Sequence, residues 1–271
     1  MSKAFAGLVL VFGLAAIPAT ASGEPSREIH RTVALDARGT VVIRTFKGSI
    51  EVEPWGEPQA DVLARIEADT SCGTDAYQAE RVRLTEVDFD STPSRLEVRS
   101  DYEKLDPLPS IPYHVDGFDA TCSAHPFIHY RLRIPSTARL DIDDHKSRIA
   151  VSGMRSDTRI SSHKGSVDVK AHDGALDLET HKGHVRVEFA RFPAASRLET
   201  YKGDIEITVP RSAGFDLDAQ VERGGTLEAA GFRLDESLVN RRERVYRQKV
   251  NGGGPRLELS TRNGSIQIRE N

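Results

Sequence analysis

After its first 21 residues the chain has no apolar run long enough to cross a bilayer, which excludes a transmembrane helix from the mature part. Cysteine is scarce: only Cys72 and Cys122 occur, and neither lies near residue 21, so the usual attachment point of a bacterial lipid anchor is missing. Blocks of like charge are absent as well. The 37 Lys and Arg are interleaved with 41 Asp and Glu, which argues against a nucleic-acid footprint. The chain also lacks a Gly-x-Ser-x-Gly elbow, a His-Glu-x-x-His pair and a phosphate-binding Gly-Lys loop. Each absence removes a class of enzyme.

What the first residues do contain reads as an export signal. Lys3 gives a short positive start, Ala4 to Ile17 is apolar or small, and Ala19-Thr20-Ala21 offers the small-x-small cleavage pattern. Residues 1–21 are therefore expected to be a signal peptide cleaved after Ala21. Losing them removes one Lys and no acid, so the formal charge moves from −4 to −5. The mature protein is expected to be soluble, in the periplasm or secreted. Its length, about 250 residues, can bury a sizeable core as one or two domains or as one elongated array. Two cysteines in an exported chain point to one disulfide, Cys72–Cys122. The alternative is a metal site of Cys122, His125 and His129, which has ligand-like spacing and no clear fourth ligand.

The organising signal is a repeat: alternating apolar residues, Thr or Ser, a ring or long side chain, Lys-Gly or Asn-Gly, then another alternating pair. It appears as Val41-Val-Ile-Arg-Thr-Phe-Lys-Gly-Ser-Ile50, Ile160-Ser-Ser-His-Lys-Gly-Ser-Val167 and Leu176-Asp-Leu-Glu-Thr-His-Lys-Gly-His-Val185. Further copies are Leu198-Glu-Thr-Tyr-Lys-Gly-Asp-Ile205 and Leu257-Glu-Leu-Ser-Thr-Arg-Asn-Gly-Ser-Ile266. A degenerate copy, Leu140-Asp-Ile-Asp-Asp-His-Lys-Ser-Arg-Ile149, lacks the Gly. Period-two alternation marks strands, and Gly supplies a turn conformation closed to other residues.

Spacing chooses between two all-β folds. His145, His163 and His181 follow one another at 18 residues, and Tyr201 comes 20 later. In an antiparallel meander such residues lie two strands apart and nothing requires them to match. In a solenoid with two strands per coil they stack directly, about 4.8 Å apart. The matching favours a parallel β-solenoid with coils of about 18–20 residues. Alternation then places Thr45, Ser162, Thr180, Thr200 and Thr261 inside, and Phe46, His163, His181, Tyr201 and Arg262 outside. An inward hydroxyl can satisfy turn backbone groups without filling the space, and Asp144 stands in that slot in the degenerate copy.

Three stretches carry a resemblance: Thr45 to Gly56, Tyr130 to Ile142 and Gly254 to Arg269. In this order they resemble the DUF4097-type, adhesin-like β-solenoid proteins of the bacterial envelope, over roughly residues 30–100 and 128–270. The resemblance implies a right-handed parallel β-solenoid (β-helix) outside the cytoplasm. "Adhesin" is a provisional label in that group, and no catalytic residues come with it. The segment 101–127, with Pro107, Pro109, Pro112 and Cys122, departs from the pattern and reads as a long loop tied to Cys72.

Stacked turns would align Lys146, Lys164, Lys182 and Lys202 along one edge, with Lys47 as a possible fifth and His145, His163, His181 and Tyr201 beside them. Such a ridge suits an anionic polysaccharide or an envelope surface. The plainer reading is a solvated edge whose lysines keep coils from joining, with Asp168, Glu179, Glu188 and Asp204 as counter-charge. A histidine row also suggests metal, but rings in register point their nitrogens in parallel, whereas zinc needs convergent ligands. A polysaccharide-cutting enzyme needs two carboxylates facing one bond. Asp143 and Asp144 project to opposite faces, and Asp141 and Asp143 share an outer one.

Trp55 is expected to cover the open N-terminal end of the solenoid, and the charged segment Glu236 to Arg244 reads as a short helix. The expected layout is residues 22–127 as N-terminal strands and a Pro-rich tethered loop, then residues 128–271 as regular coils of the same domain. The expected function is non-enzymatic, cofactor-free surface binding in the envelope. The alternatives are a scaffold that contacts another envelope protein and, behind it, a polysaccharide-active enzyme.

Overall fold

The computed structural model describes residues 24–271, apart from 72, 107, 109, 116–117, 123, 233, 235 and 241–242. The expected signal peptide and the Cys72 end of the expected disulfide lie outside the described residues, as does the side chain of Cys122. In chain order the first elements are β1 (Ser26–Ala34), β2 (Thr40–Trp55), β3 (Gln59–Glu67), α1 (Asp75–Leu84), β4 (Glu86–Thr92) and β5 (Arg95–Asp101). Then come β6 (Ile111–Val115), β7 (Phe118–Cys122), β8 (Phe127–Pro135) and β9 (Arg139–Ser152). Segment 101–127, read from its prolines as a loop, thus holds an antiparallel hairpin of β6 and β7.

The repeat proper supplies β10 (Thr158–Lys164), β11 (Val167–His172), β12 (Leu176–Lys182), β13 (Val185–Phe189), β14 (Ser196–Lys202) and β15 (Ile205–Val209). The remainder is β16 (Phe215–Glu222), β17 (Leu227–Ala230), β18 (Glu236–Asn240), β19 (Glu243–Val250), β20 (Arg256–Asn263) and β21 (Ile266–Glu270). Residues 236–240, expected to be helical, are a strand antiparallel to β19. Pairing with β19 overrides the helix signal that the charges of that stretch carry.

The architecture is a parallel β-solenoid. Inward residues pair aliphatic to aliphatic through successive coils: Ile142↔Ile160, Ile160↔Leu178, Leu178↔Leu198 and Leu198↔Leu259 on one wall. On the other wall the ladder runs Ile149↔Val167, Val167↔Val185, Val185↔Ile205 and Ile205↔Ile266. All of these side chains are buried, so the two walls close on one continuous apolar core. The driving force is the removal of this surface from water, about 1.5–3 kcal/mol per aliphatic side chain.

The spatial order of coils is not the chain order. β2 lies between the coil formed by β5 and β8 and the coil formed by β9. At the other end β20 and β21 insert between β14–β15 and β16–β17. The C-terminal coil is therefore not the last rung. Trp55 does not close an open end either, because β2 has parallel neighbours on both sides; its ring lies under the Arg133 guanidinium at 4.7 Å. Both ends are finished instead by antiparallel strands: β3 on β8, β1 on β3 and β4 on β5 at one end, β19 on β16 and β18 on β19 at the other.

Asp61 ties the N-terminal finish together. It accepts hydrogen bonds from Arg133 at 2.8 Å, His30 at 2.7 Å and Thr32 at 2.9 Å. Desolvation pulls its pKa up, but these donors outweigh it and hold the carboxyl at about 2, below its ordinary 3.8. A depressed folded pKa contributes stability that is fully present above the unfolded value and is lost as pH falls through the folded one. Between about pH 4 and pH 2 the wild type should thus lose about 1 kcal/mol from this group, once solvent screening is allowed for. Asp61→Asn should flatten that part of an acid-denaturation curve; an unchanged curve would show that the carboxylate is not the titrating group.

Candidate functional site

Each coil turns from one wall to the other at its Lys-Gly step, and stacking dictates what that turn contains. A Cβ placed on Gly165 would sit 1.8 Å from the Ser147 carbonyl oxygen, one on Gly183 1.7 Å from that of Gly165, and one on Gly203 1.9 Å from that of Gly183. Backbone meets backbone there, so no side chain fits. Two of the inward hydroxyls satisfy turn carbonyls as alternation anticipates. Thr45 instead bonds the Ser100 hydroxyl, Ser162 bonds Asp144, and Thr180 Oγ1 is buried without a hydrogen-bond partner among the described residues. Thr200 Oγ1 donates to the Gly183 carbonyl at 3.3 Å, and Thr261 Oγ1 to that of Gly203 at 3.0 Å.

The degenerate copy shows why this arrangement matters. Where Gly follows Lys, its amide donates to the next coil: Gly165 to Lys182, Gly183 to Lys202 and Gly203 to Asn263, each at 3.0 Å. Ser147 instead donates its amide inward to the Asp144 carboxylate at 2.8 Å, which also accepts from Ser162 Oγ at 2.9 Å. Asp144 is thus the local substitute for the missing glycine geometry. Burial pushes its pKa up against those two hydrogen bonds.

With the turns flattened, the ring slots form a column. His145 and His163 stack at 4.7 Å and 7°, His163 and His181 at 4.9 Å and 1°, and His181 and Tyr201 at 4.7 Å and 10°. Phe46 continues the stack on His145 at 4.8 Å and 3°. Its far side is covered by His125 at 5.3 Å and Tyr102 at 6.1 Å. At the opposite end the Arg262 guanidinium lies over Tyr201 at 5.2 Å and pairs with Glu222 at 3.4 Å. Phe46 and Arg262 are legible from their repeat slots. Tyr102, His125 and Glu222 are not, since no periodicity marks them.

The lysines run beside the rings, with Lys164↔Lys182 and Lys182↔Lys202 in direct register and Asn263 next. Lys146, Lys164, Lys182 and Lys202 are exposed, and among the described residues none of the four has an ion pair within 4.0 Å. Lys47 is in register with Lys146 but leaves the row. It is 6% exposed, ion-paired with Asp69, and seated over the Phe127 ring at 4.0 Å. Desolvation lowers the Lys47 pKa although Asp69 opposes it, while the Lys47 hydrogen bond carries the Asp69 carboxyl below its usual range despite burial.

The strand faces are built differently. Along one wall Asp141, Arg159, Asp177, Arg197 and Glu258 alternate in sign from coil to coil. Arg197 reaches Glu258 at 3.6 Å, and on the other wall Arg186 reaches Glu206 at 3.2 Å. A shallow groove of about 570 Å³ over Ala175 and Ala195 belongs to this self-neutralised surface, since its rim residues Arg197 and Arg256 are paired with acids. Asp143 shares the outer face with Asp141, as alternation anticipates, and pairs with Arg44 at 3.4 Å. The sheet side of the ring column carries Asp143, Ser161 and Glu179 around a second groove of about 370 Å³. Beyond the turn, Asp204 is taken by the Ser265 amide at 2.8 Å and His184 at 3.4 Å.

His125 and His129 have separate surroundings: the first packs on Phe46, and the second meets Ser49 Oγ at 2.8 Å. Among the described residues no three His, Cys, Asp or Glu side chains are grouped to hold a metal ion.

Residues 40–269 match the family model described as Toastrack DUF4097. No curated protein matches the chain. Among solved structures, a "putative cell adhesion protein" from Clostridium sporogenes is 10% identical, with a TM-score of 0.45, covering 91% of this chain and 100% of that one. A "putative adhesin" from Bacteroides fragilis is 12% identical, with a TM-score of 0.45, covering 90% of this chain and 97% of that one.

Proposed function

This chain belongs to the Toastrack DUF4097 family, and from that premise we propose that it is an exported, non-enzymatic envelope protein that binds an anionic surface polymer along its Lys and ring edge. One observation carries the reading. On one strand wall Asp141, Arg159, Asp177, Arg197 and Glu258 alternate in sign from coil to coil, whereas Lys146, Lys164, Lys182 and Lys202 stand in line without ion-pair partners among the described residues. Aligned like charges repel, and a polyanion laid across them relieves that repulsion. The turns that carry them are held by backbone contact, so the spacing of the row is set before any ligand arrives.

The test is the triple variant Lys164→Glu, Lys182→Glu, Lys202→Glu, titrated with polygalacturonate at low and at high salt. Wild type should bind at low salt and weaken as salt rises, because displaced counter-ions drive polyanion binding. The variant should lose at least about tenfold in affinity, the sign of several charges having been reversed. Equal binding by variant and wild type removes the ridge from the function. No binding by either leaves the scaffold reading, and release of shortened polymer supports the enzyme.

A further inference from the structure

We infer that the ridge holds a linear acidic glycan bearing one carboxylate per sugar, gripped by ring edges and ammonium groups at each coil rather than by sugar stacking. The inference rests on the binding reading above and specifies its ligand.

Ring orientation excludes the usual aromatic mode. A sugar that stacks on a protein ring needs an open ring face. Here both faces of His163 and His181 are covered by neighbours within 4.9 Å at angles of 10° or less. The ends are closed too, by His125 and Tyr102 on Phe46 and by Arg262 on Tyr201. Only edges face solvent. An imidazole edge carries a ring N–H, and a phenol edge a hydroxyl. Each edge is one residue from a lysine, so every coil offers a hydrogen-bond donor beside a cation. A carboxylate, with two acceptor oxygens, suits that pair.

Spacing selects the polymer. The donor pairs recur every 4.7–4.9 Å along a line perpendicular to the strands, about the rise of one pyranose residue, so a glycan whose linkages turn each carboxylate toward the protein meets every coil. Charges set closer than this, as in inorganic polyphosphate, fall out of step with the coils. Length is bounded as well. Lys47 is withdrawn into its pair with Asp69 at one end, and Asn263 replaces lysine at the other. The free stretch runs from His145 and Lys146 to Tyr201 and Lys202, one sugar per coil. The acids Asp143 and Glu179 lie on the sheet side of the rings, so the glycan lies on the lysine side, over the turns.

The experiment is calorimetric titration with oligogalacturonates of increasing length, on wild type and on the double variant His163→Phe, His181→Phe. Phe46 already stacks in this column at 4.8 Å and 3°, so phenyl rings should keep the stack, which an unchanged thermal midpoint checks. Wild-type affinity should rise about two- to fivefold per added unit and level off near four or five units. The Phe variant should bind about tenfold more weakly, since two charge-assisted donors are lost. Equal or tighter binding by the Phe variant overturns the edge-donor grip, and affinity independent of length overturns the one-per-coil match. In both cases the Lys→Glu triple still reports on the ridge itself. Preference for phosphatidylglycerol vesicles over every oligomer replaces a line-shaped ligand with a planar one.

Discussion

Deleting residues 255–271 should unfold the segment 215–250 along with them, rather than trimming one rung from the end of the stack. β20 is paired with β14 on one side and β16 on the other, and β21 with β15 and β17. Leu257, Leu259, Ile266 and Ile268 are each no more than 1% exposed. At about 1.5–3 kcal/mol per side chain, their loss rivals the whole net stability of an ordinary domain, about 5–15 kcal/mol. Without this coil, Leu217, Ala219 and Leu227 lose the wall they pack on. Limited proteolysis should cut the truncated protein throughout 211–250 while sparing 128–209. Full protection of 215–250 after the deletion would show that β16 and β17 can seat directly on β14 and β15.

The second large effect is expected from one methyl group. Gly183→Ala places its Cβ 1.7 Å from the Gly165 carbonyl oxygen, a contact in which neither side is a movable side chain. Relief requires two coils to separate, breaking the ladder on which the ring column depends. The cost should be at least about 3 kcal/mol, at the upper end for overpacked sites. For a chain of this size that lowers the thermal midpoint by about 6–12 °C. Gly56→Ala is the control, since its added Cβ meets nothing within 4 Å. It should stay within about 0.5 kcal/mol of wild type. Equal midpoints for the two variants would mean that the stacked turns can part at little cost.

Much of this was legible because a strand repeat exposes its own face assignment. The 18-residue spacing of His145, His163 and His181 and the inward slots of Ser162, Thr180, Thr200 and Thr261 follow from alternation alone. Coil order was not legible, for a physical reason. The ladder between coils is made of backbone hydrogen bonds, and the inward positions accept almost any aliphatic residue. Leaving out the last coil would set Leu198 on Ala219 and Ile205 on Leu227, inward apolar pairs that the repeat marks no differently from Leu198 on Leu259 and Ile205 on Ile266. Lys47 carries the same local sequence as the exposed lysines, and its burial is decided by Asp69 and Phe127, which no repeat connects to it. The closure of the ring column by Tyr102 and His125 was hidden likewise, since both come from the stretch that departs from the repeat.

The displaced coils also bear on the time course of synthesis. β16 and β17 have their seat on strands made after them, and β2 waits for β8 and β9, which follow it by about eighty to one hundred positions. A polypeptide emerging amino end first therefore cannot wind up one turn after another. It must hold the first flank open until β8 and β9 arrive and the other until β20 and β21 do, a route dominated by distant pairings and correspondingly slow.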